Sequence, residues 1–168
     1  MEQKESTPSM REVINLENTY ALSQRIKSNY SQFNDSEFNS KIKESLSELN
    51  LMDRILLVQN TLEEFLPKDF KKTVDILLKS QLPELVNDRS DNYPSDFIAV
   101  PLSGLIAKIG CTKEFFDLSM EAQYDMTKRF SCEWSIHDFI ENFEDECFEY
   151  FKKWALDGNC HVRRLCSE

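Results

Sequence analysis

Two stretches in the carboxyl-terminal third carry the side chains best suited to chemistry. In the first, Arg129-Phe130-Ser131-Cys132-Glu133-Trp134-Ser135-Ile136-His137, Glu133 and His137 stand one helical turn apart and face away from the apolar stripe. In the second, Asp157-Gly158-Asn159 opens a helix on which His161, Arg164 and Glu168 share one face, while Val162 and Leu165 turn toward the core. Helix-start amides and arginines suit phosphate oxygens. Plainer readings stand beside both: a solvated helix face for Glu133 and His137, and for Arg164 and Glu168 an ordinary surface pair worth about 0.2–0.5 kcal/mol.

The five cysteines, Cys111, Cys132, Cys147, Cys160 and Cys166, are odd in number and sit in apolar helical contexts, the pattern of reduced thiols in a cytosol. Each reads first as a small buried hydrophobe. A zinc site would have to draw on Cys160, Cys166, His161 and His137, and no close Cys-x-x-Cys pair supports it. Neither a metal nor a cofactor is therefore assigned. A cysteine-dependent enzyme would need a thiol beside His137 or His161.

The elements that must position these residues are helices. Apolar residues recur at helical spacing along almost the whole 168-residue chain, no alternating strand pattern competes, and 3 Gly with 5 Pro are too few for a turn-rich β fold. Residues 1–10 read as a disordered polar lead and 11–168 as one helical domain. The first helix is expected over 11–28, with Val13, Leu16 and Tyr20 on one face. Asn34 or Asp35, then Asn50 and Asp69, are good N-caps for the next three, and Pro67 ends the third. The polar stretch 81–96 is the one long loop candidate. Helical spacing resumes over 97–109, where Gly110 is placed as a C-terminal cap; Thr112 and Ser131 open further helices, another begins near Asp145, and a last one follows Asn159.

No apolar run approaches the roughly 18 residues that a bilayer span requires, and the amino terminus lacks a charged-then-apolar leader pattern, so a cytoplasmic protein is expected. Helices of this length joined by short connectors suit an all-α, right-handed α-solenoid of degenerate HEAT/armadillo-like helix pairs, or an irregular bundle. Val162 and Leu165 begin an apolar face with no successor in sequence to cover it, and the chain reads as truncated at its carboxyl end.

Trp154 followed by Asp157, Asn159 and His161-Val162-Arg163-Arg164-Leu165, then Ser167-Glu168, resembles the hallmark of HEAT-like bacterial DNA alkylation repair glycosylases, particularly their AlkC branch. There the hallmark continues into a Gly-Thr-Arg-Pro-Arg-Leu-Pro-Trp segment that this chain lacks. Residues Thr127 to Ile136 are similar to the family's Arg-Phe-Thr-x-Glu-Phe-x-Ile segment, and the Phe65-Leu66-Pro67-Lys68-Asp69-Phe70 joint also fits, so the likeness covers about residues 15–168. The resemblance implies a solenoid curving around alkylated double-stranded DNA. It also implies hydrolysis of the N-glycosidic bond of bases such as 3-methyladenine or 3-methylcytosine by a monomer without cofactor. Carried over by position, Glu133 and Glu168 would be the two catalytic carboxylates. Arg163 and Arg164 would hold the DNA backbone or support those carboxylates, with His161, Lys128, Arg129 and His137 completing the DNA-binding set and Trp154 packing the helix pair.

Charge qualifies this. The chain has 20 Lys+Arg against 30 Asp+Glu, a net charge of −10, and DNA binding draws much of its affinity from neutralised phosphates. Where the family has Arg-Pro, this chain has His137-Asp138, and Glu141, Glu144, Asp145, Glu146 and Glu149 follow; either that acidic joint lies away from DNA or the affinity for DNA suffers. The alternative is a non-catalytic helical-repeat protein-interaction module, whose natural partner is basic.

Overall fold

The computed structural model describes residues 10–85 and 95–167; most of the expected polar lead, much of the polar loop and Glu168 lie outside the described residues. Among the described residues there are nine α-helices and no strand. They are α1 (Leu16–Asn29), α2 (Asp35–Ser45), α3 (Leu51–Phe65), α4 (Phe70–Lys79), α5 (Val100–Gly110), α6 (Phe116–Thr127), α7 (Glu133–Asn142), α8 (Glu144–Trp154) and α9 (Cys160–Leu165), with 3-10 turns at Met10–Val13, Leu46–Glu48 and Ser95–Ala99.

Side-chain caps fix most of the early helix starts. Asn34, Asn50 and Asp69 accept the backbone N–H of Glu37, Asp53 and Lys72 at 3.3, 3.1 and 3.1 Å, each a contact worth about 1 kcal/mol. The expected first helix is divided, because Asn15 is extended and forms a reciprocal capping box with Asn18. That cap resets the register: α1 buries Leu22 and Ile26, whereas Leu16 and Tyr20 are exposed. The turn before it is held from below by the buried Arg54, which donates to the carbonyls of Arg11, Ile14 and Leu49.

The helices stack in two rows. In one, α1 packs on α4, α4 on α6 and α6 on α9; in the other, α2 packs on α3, α3 on α5, α5 on α7 and α7 on α8. Cross-contacts of α1 with α2, and of α5 with α4 and α6, join the rows, and the core runs between them. The second-row helix α5 buries eight of its eleven residues. Gly110 does not cap it with a left-handed turn. The helix runs through Gly110, and a Cβ there would collide with Ser119 Oγ and the Phe70 ring, so the glycine lets α4, α5 and α6 approach closely.

At the carboxyl end, Val162 and Leu165 are 0% and 4% exposed, and α9 packs on α6. The face expected to await a successor is already covered. Trp154 stacks among Tyr124, Tyr150 and Phe151, with ring centroids 5.6, 5.6 and 5.7 Å away, packing the last helices together as expected.

Candidate functional site

Glu133 is the first residue of α7, and Ser131 Oγ accepts its backbone N–H at 3.3 Å. It lies at a cleft of about 620 Å³ that crosses the second row, with α3, α5 and α7 forming its walls. Arg164 of α9 also lines this cleft, so the fold brings together two of the residues singled out in the sequence. Three aromatic rings line it as well: Phe97 lies 5.1 Å from Phe130 and 6.3 Å from Trp134, and Trp134 is 47% exposed. A carboxylate beside open aromatic surface can receive a flat, positively charged group.

The polar groups behind the cleft are fully engaged. Ser135 Oγ donates to Gln123 Oε1 at 2.7 Å, and Gln123 Nε2 donates to the Ser103 carbonyl at 3.1 Å, so α5, α6 and α7 share one buried amide. Nothing in the sequence pattern marked Gln123, because a glutamine within a helix reads as surface.

Of the other expected cations, Arg129, Lys128 and Arg163 make contacts within the fold. Arg129 donates to the carbonyls of Leu82 and Asp125 at 2.8 and 2.7 Å and pairs with the Asp125 carboxylate at 2.8 Å, tying the stretch after α4 to the end of α6. Lys128 lies over the Tyr124 ring, 4.2 Å from its centroid. Arg163 donates to the carbonyls of Asp157 and Gly158 at 2.7 and 3.0 Å, bracing its own approach loop. His161 is partly buried, and His137 is exposed on α7 with no hydrogen bond to Glu133. The amides at the start of the six-residue α9 are not open to a phosphate: Asn159 Oδ1 accepts from His161 N and Val162 N at 2.9 and 3.4 Å. Glu168, the second expected carboxylate, lies outside the described residues.

Burial pushes the thiols of Cys132 and Cys147 up to about 12 and raises those of Cys111 and Cys166, the opposite of an activated nucleophile. Among the described residues no group of three His, Cys, Asp or Glu side chains is arranged to hold a metal ion, and no helix is long and apolar enough to cross a membrane. Of the acidic run after His137, only Asp138 lines the cleft; Glu141, Glu144, Asp145, Glu146 and Glu149 lie elsewhere and are exposed apart from their local pairs, such as Glu149 with Lys152 at 2.5 Å.

Two rows of paired helices, with the cleft crossing one of them, define an all-α helical-repeat protein of the HEAT-like class. No protein-family model matches the chain. The Pseudomonas fluorescens alkylpurine DNA glycosylase AlkC, bound to DNA containing an abasic site analog, superposes with a TM-score of 0.81 at 26% identity, over 97% of this chain and 43% of that one. The chain thus has the AlkC-type HEAT-like fold. It is also 25% identical over 165 residues to the uncharacterized protein YhaZ of Bacillus subtilis (strain 168), a match covering 95% of this chain and 42% of that protein. The chain spans less than half the length of each.

Proposed function

We propose that the chain is part of a monofunctional DNA glycosylase that releases N-alkylated bases, such as 3-methyladenine or 3-methylcytosine, from duplex DNA. The observation that carries this reading is the likeness, over 97% of the chain, to a glycosylase fold held on DNA. The cleft supports it, being lined by both Glu133, at the head of α7, and Arg164 of α9.

The chemistry asks little of an acid. A base alkylated on a ring nitrogen is already positive, so when the bond from the sugar C1′ to nitrogen breaks, the electron pair neutralises the ring and the base leaves without protonation. Positive charge then develops on the sugar. The Glu133 carboxylate faces that oxocarbenium-like centre, stabilises it and orients a water whose oxygen bonds to C1′, the released proton passing to the carboxylate or to solvent. Arg164 holds backbone phosphate, and Glu168 is the second carboxylate of the reading. On this reading the protein works on DNA in the cytoplasm, as a monomer, with neither metal nor cofactor.

Release of base from methylated duplex DNA is the test, run on this chain and on a full-length relative. Glu133→Gln is expected to lower the rate by about 10²-fold or more, the scale for loss of one preorganised electrostatic contact; Glu168→Gln is expected to act alike. Undiminished release in both variants removes the carboxylate roles. A second reading, a module that binds basic proteins, rests on the exposed acids of α8 around Phe148, itself 50% exposed. It takes over if neither protein releases base and charge reversal at Glu146 and Glu149 abolishes capture of basic peptides.

A further inference from the structure

Glu133 stands at the head of a helix whose N-cap residue does not cap it. Asparagine or aspartate side chains cap α1, α2, α3, α4 and α9, but Cys132 at the same position of α7 makes no capping bond. An end of this kind frays unless contacts from outside the helix hold it. The body of α7 is fixed by the Ser135 bond to Gln123, so the carboxylate depends on the turn over 128–132 that delivers it.

That turn is gripped from two sides by the stretch between α4 and α5. On one side the Leu85 N–H donates to the Lys128 carbonyl at 3.0 Å, and Arg129 donates to the Leu82 carbonyl at 2.8 Å while facing Glu84 at 3.7 Å. The same guanidinium donates to the Asp125 carbonyl and carboxylate at 2.7 and 2.8 Å, and Gln81 donates to that carboxylate at 3.2 Å. On the other side the Phe97 ring packs against Phe130 and Trp134. Arg129 is therefore the knot at which the end of α6, the 81–85 stretch and the turn into α7 meet.

The plainer role of phosphate ligand fits this place poorly. The Arg129 side chain is 17% exposed, and two carboxylates already face its single positive charge, so an arriving phosphate would meet net negative charge. Several donors held in one rigid fork are what arginine supplies and lysine does not.

We propose that Arg129 is a positioning residue for Glu133: by tying the 81–85 stretch to the end of α6, it fixes the turn from which α7 starts and so holds the carboxylate at the cleft. This deepens the glycosylase reading and rests on it.

The test compares Arg129→Gln and Arg129→Lys in the 168-residue chain, with Asp125→Asn as a milder loosening of the same knot. In single-turnover base release from methylated duplex DNA, both Arg129 variants should be slowed about tenfold or more, the scale for a misplaced catalytic group, with the Kd for DNA and its salt slope unchanged. Loss of a phosphate ligand would instead weaken binding, reduce the salt slope by about one and be rescued by lysine. With Glu133→Gln already in place, Arg129→Gln should slow release no further, because it acts through that carboxylate.

A second readout needs no activity. Cys132 is 1% exposed and directly precedes Glu133, so a loosened turn should open its thiol to a disulfide reagent while Cys147 stays protected as in wild type. The rate of Cys132 labelling should rise about tenfold in both Arg129 variants, as expected for a local opening, and less in Asp125→Asn. Where an Arg129 variant exposes Cys147 as well, Asp125→Asn decides by the same measure. Unchanged Cys132 labelling, a reduced salt slope, or a full loss of rate in the Glu133→Gln background overturns the proposal. The two readings fail separately. Release at the wild-type rate from variants with an opened Cys132 leaves the glycosylase and removes the positioning role. Faster labelling in a protein that releases no base keeps the grip on α7 and removes the glycosylase.

Discussion

Ser135 Oγ and Gln123 Oε1 lie 2.7 Å apart inside the protein, and their bond fastens α7 to α6 two residues after Glu133. Because Gln123 is fully buried and also donates to the Ser103 carbonyl, its loss removes the side-chain donor to that carbonyl and leaves Ser135 Oγ only the Cys132 carbonyl. Gln123→Leu is expected to cost about 1–3 kcal/mol in urea unfolding. Combined with Ser135→Ala, it should cost less than the two single losses added, since they share one network. Strict additivity would mean that the three helices are held by other contacts.

Gly110 and Gly158 should respond oppositely to alanine. At Gly110 the new methyl meets Ser119 Oγ and the Phe70 ring, so Gly110→Ala should destabilise by about 1–3 kcal/mol; at Gly158 nothing lies within 4 Å of a Cβ and the change should be within about 0.5 kcal/mol. Denaturant midpoints compare the pair directly. Equal behaviour would contradict the close approach of α4, α5 and α6.

Asp157 shapes the acid limb of stability. Its carboxyl accepts the Asn159 N–H and the Tyr124 hydroxyl, each at 2.7 Å, and these bonds hold it below the usual carboxylate range. A carboxyl depressed on folding stabilises the fold above its unfolded value, about 3.9, and that stabilisation drains away as pH falls through the lower folded value. Between pH 6 and pH 2 the melting temperature of wild type should therefore fall more steeply than that of Asp157→Asn. Parallel curves would show that these bonds form equally well to the protonated acid.

Thiol chemistry separates the cysteines. Cys132 and Cys147, with thiols pushed up to about 12 by burial, should resist a disulfide reagent at pH 8 in the native protein and react only on unfolding. At most Cys111, Cys160 and Cys166, which are partly exposed, should react in the native protein. Fast labelling of Cys132 or Cys147 would reveal an opening of the core that the packing does not suggest.

Local chemistry was legible in the sequence and tertiary context was not. Asn34, Asn50, Asp69 and Asn159 announce their helices because a cap is a contact within four residues. Leu16 and Tyr20 misled because apolar residues at the right spacing do not reveal where a cap such as Asn15 resets the face. Gly110 was legible as a special position but not for its reason, which lies on α4 and α6. Of the site, Glu133 and Arg164 were marked by residue type, whereas Gln59 was invisible: only the folded chain shows that it lines the same cleft. Arg129 and Arg163 were legible as cations, but residue type does not reveal that both also donate to backbone carbonyls.

In a linear array of repeats each unit leans only on the next, and single units can melt or be lost from either end. Helix α5 sits in the middle of such an array, packed against α3 and α4 before it and α6 and α7 after it. A chain cut between α4 and α6 would hand α5 to one half and leave the other with a raw apolar face. Because α5 is also the central wall of the cleft, losing it removes the cleft together with the joint between the two halves.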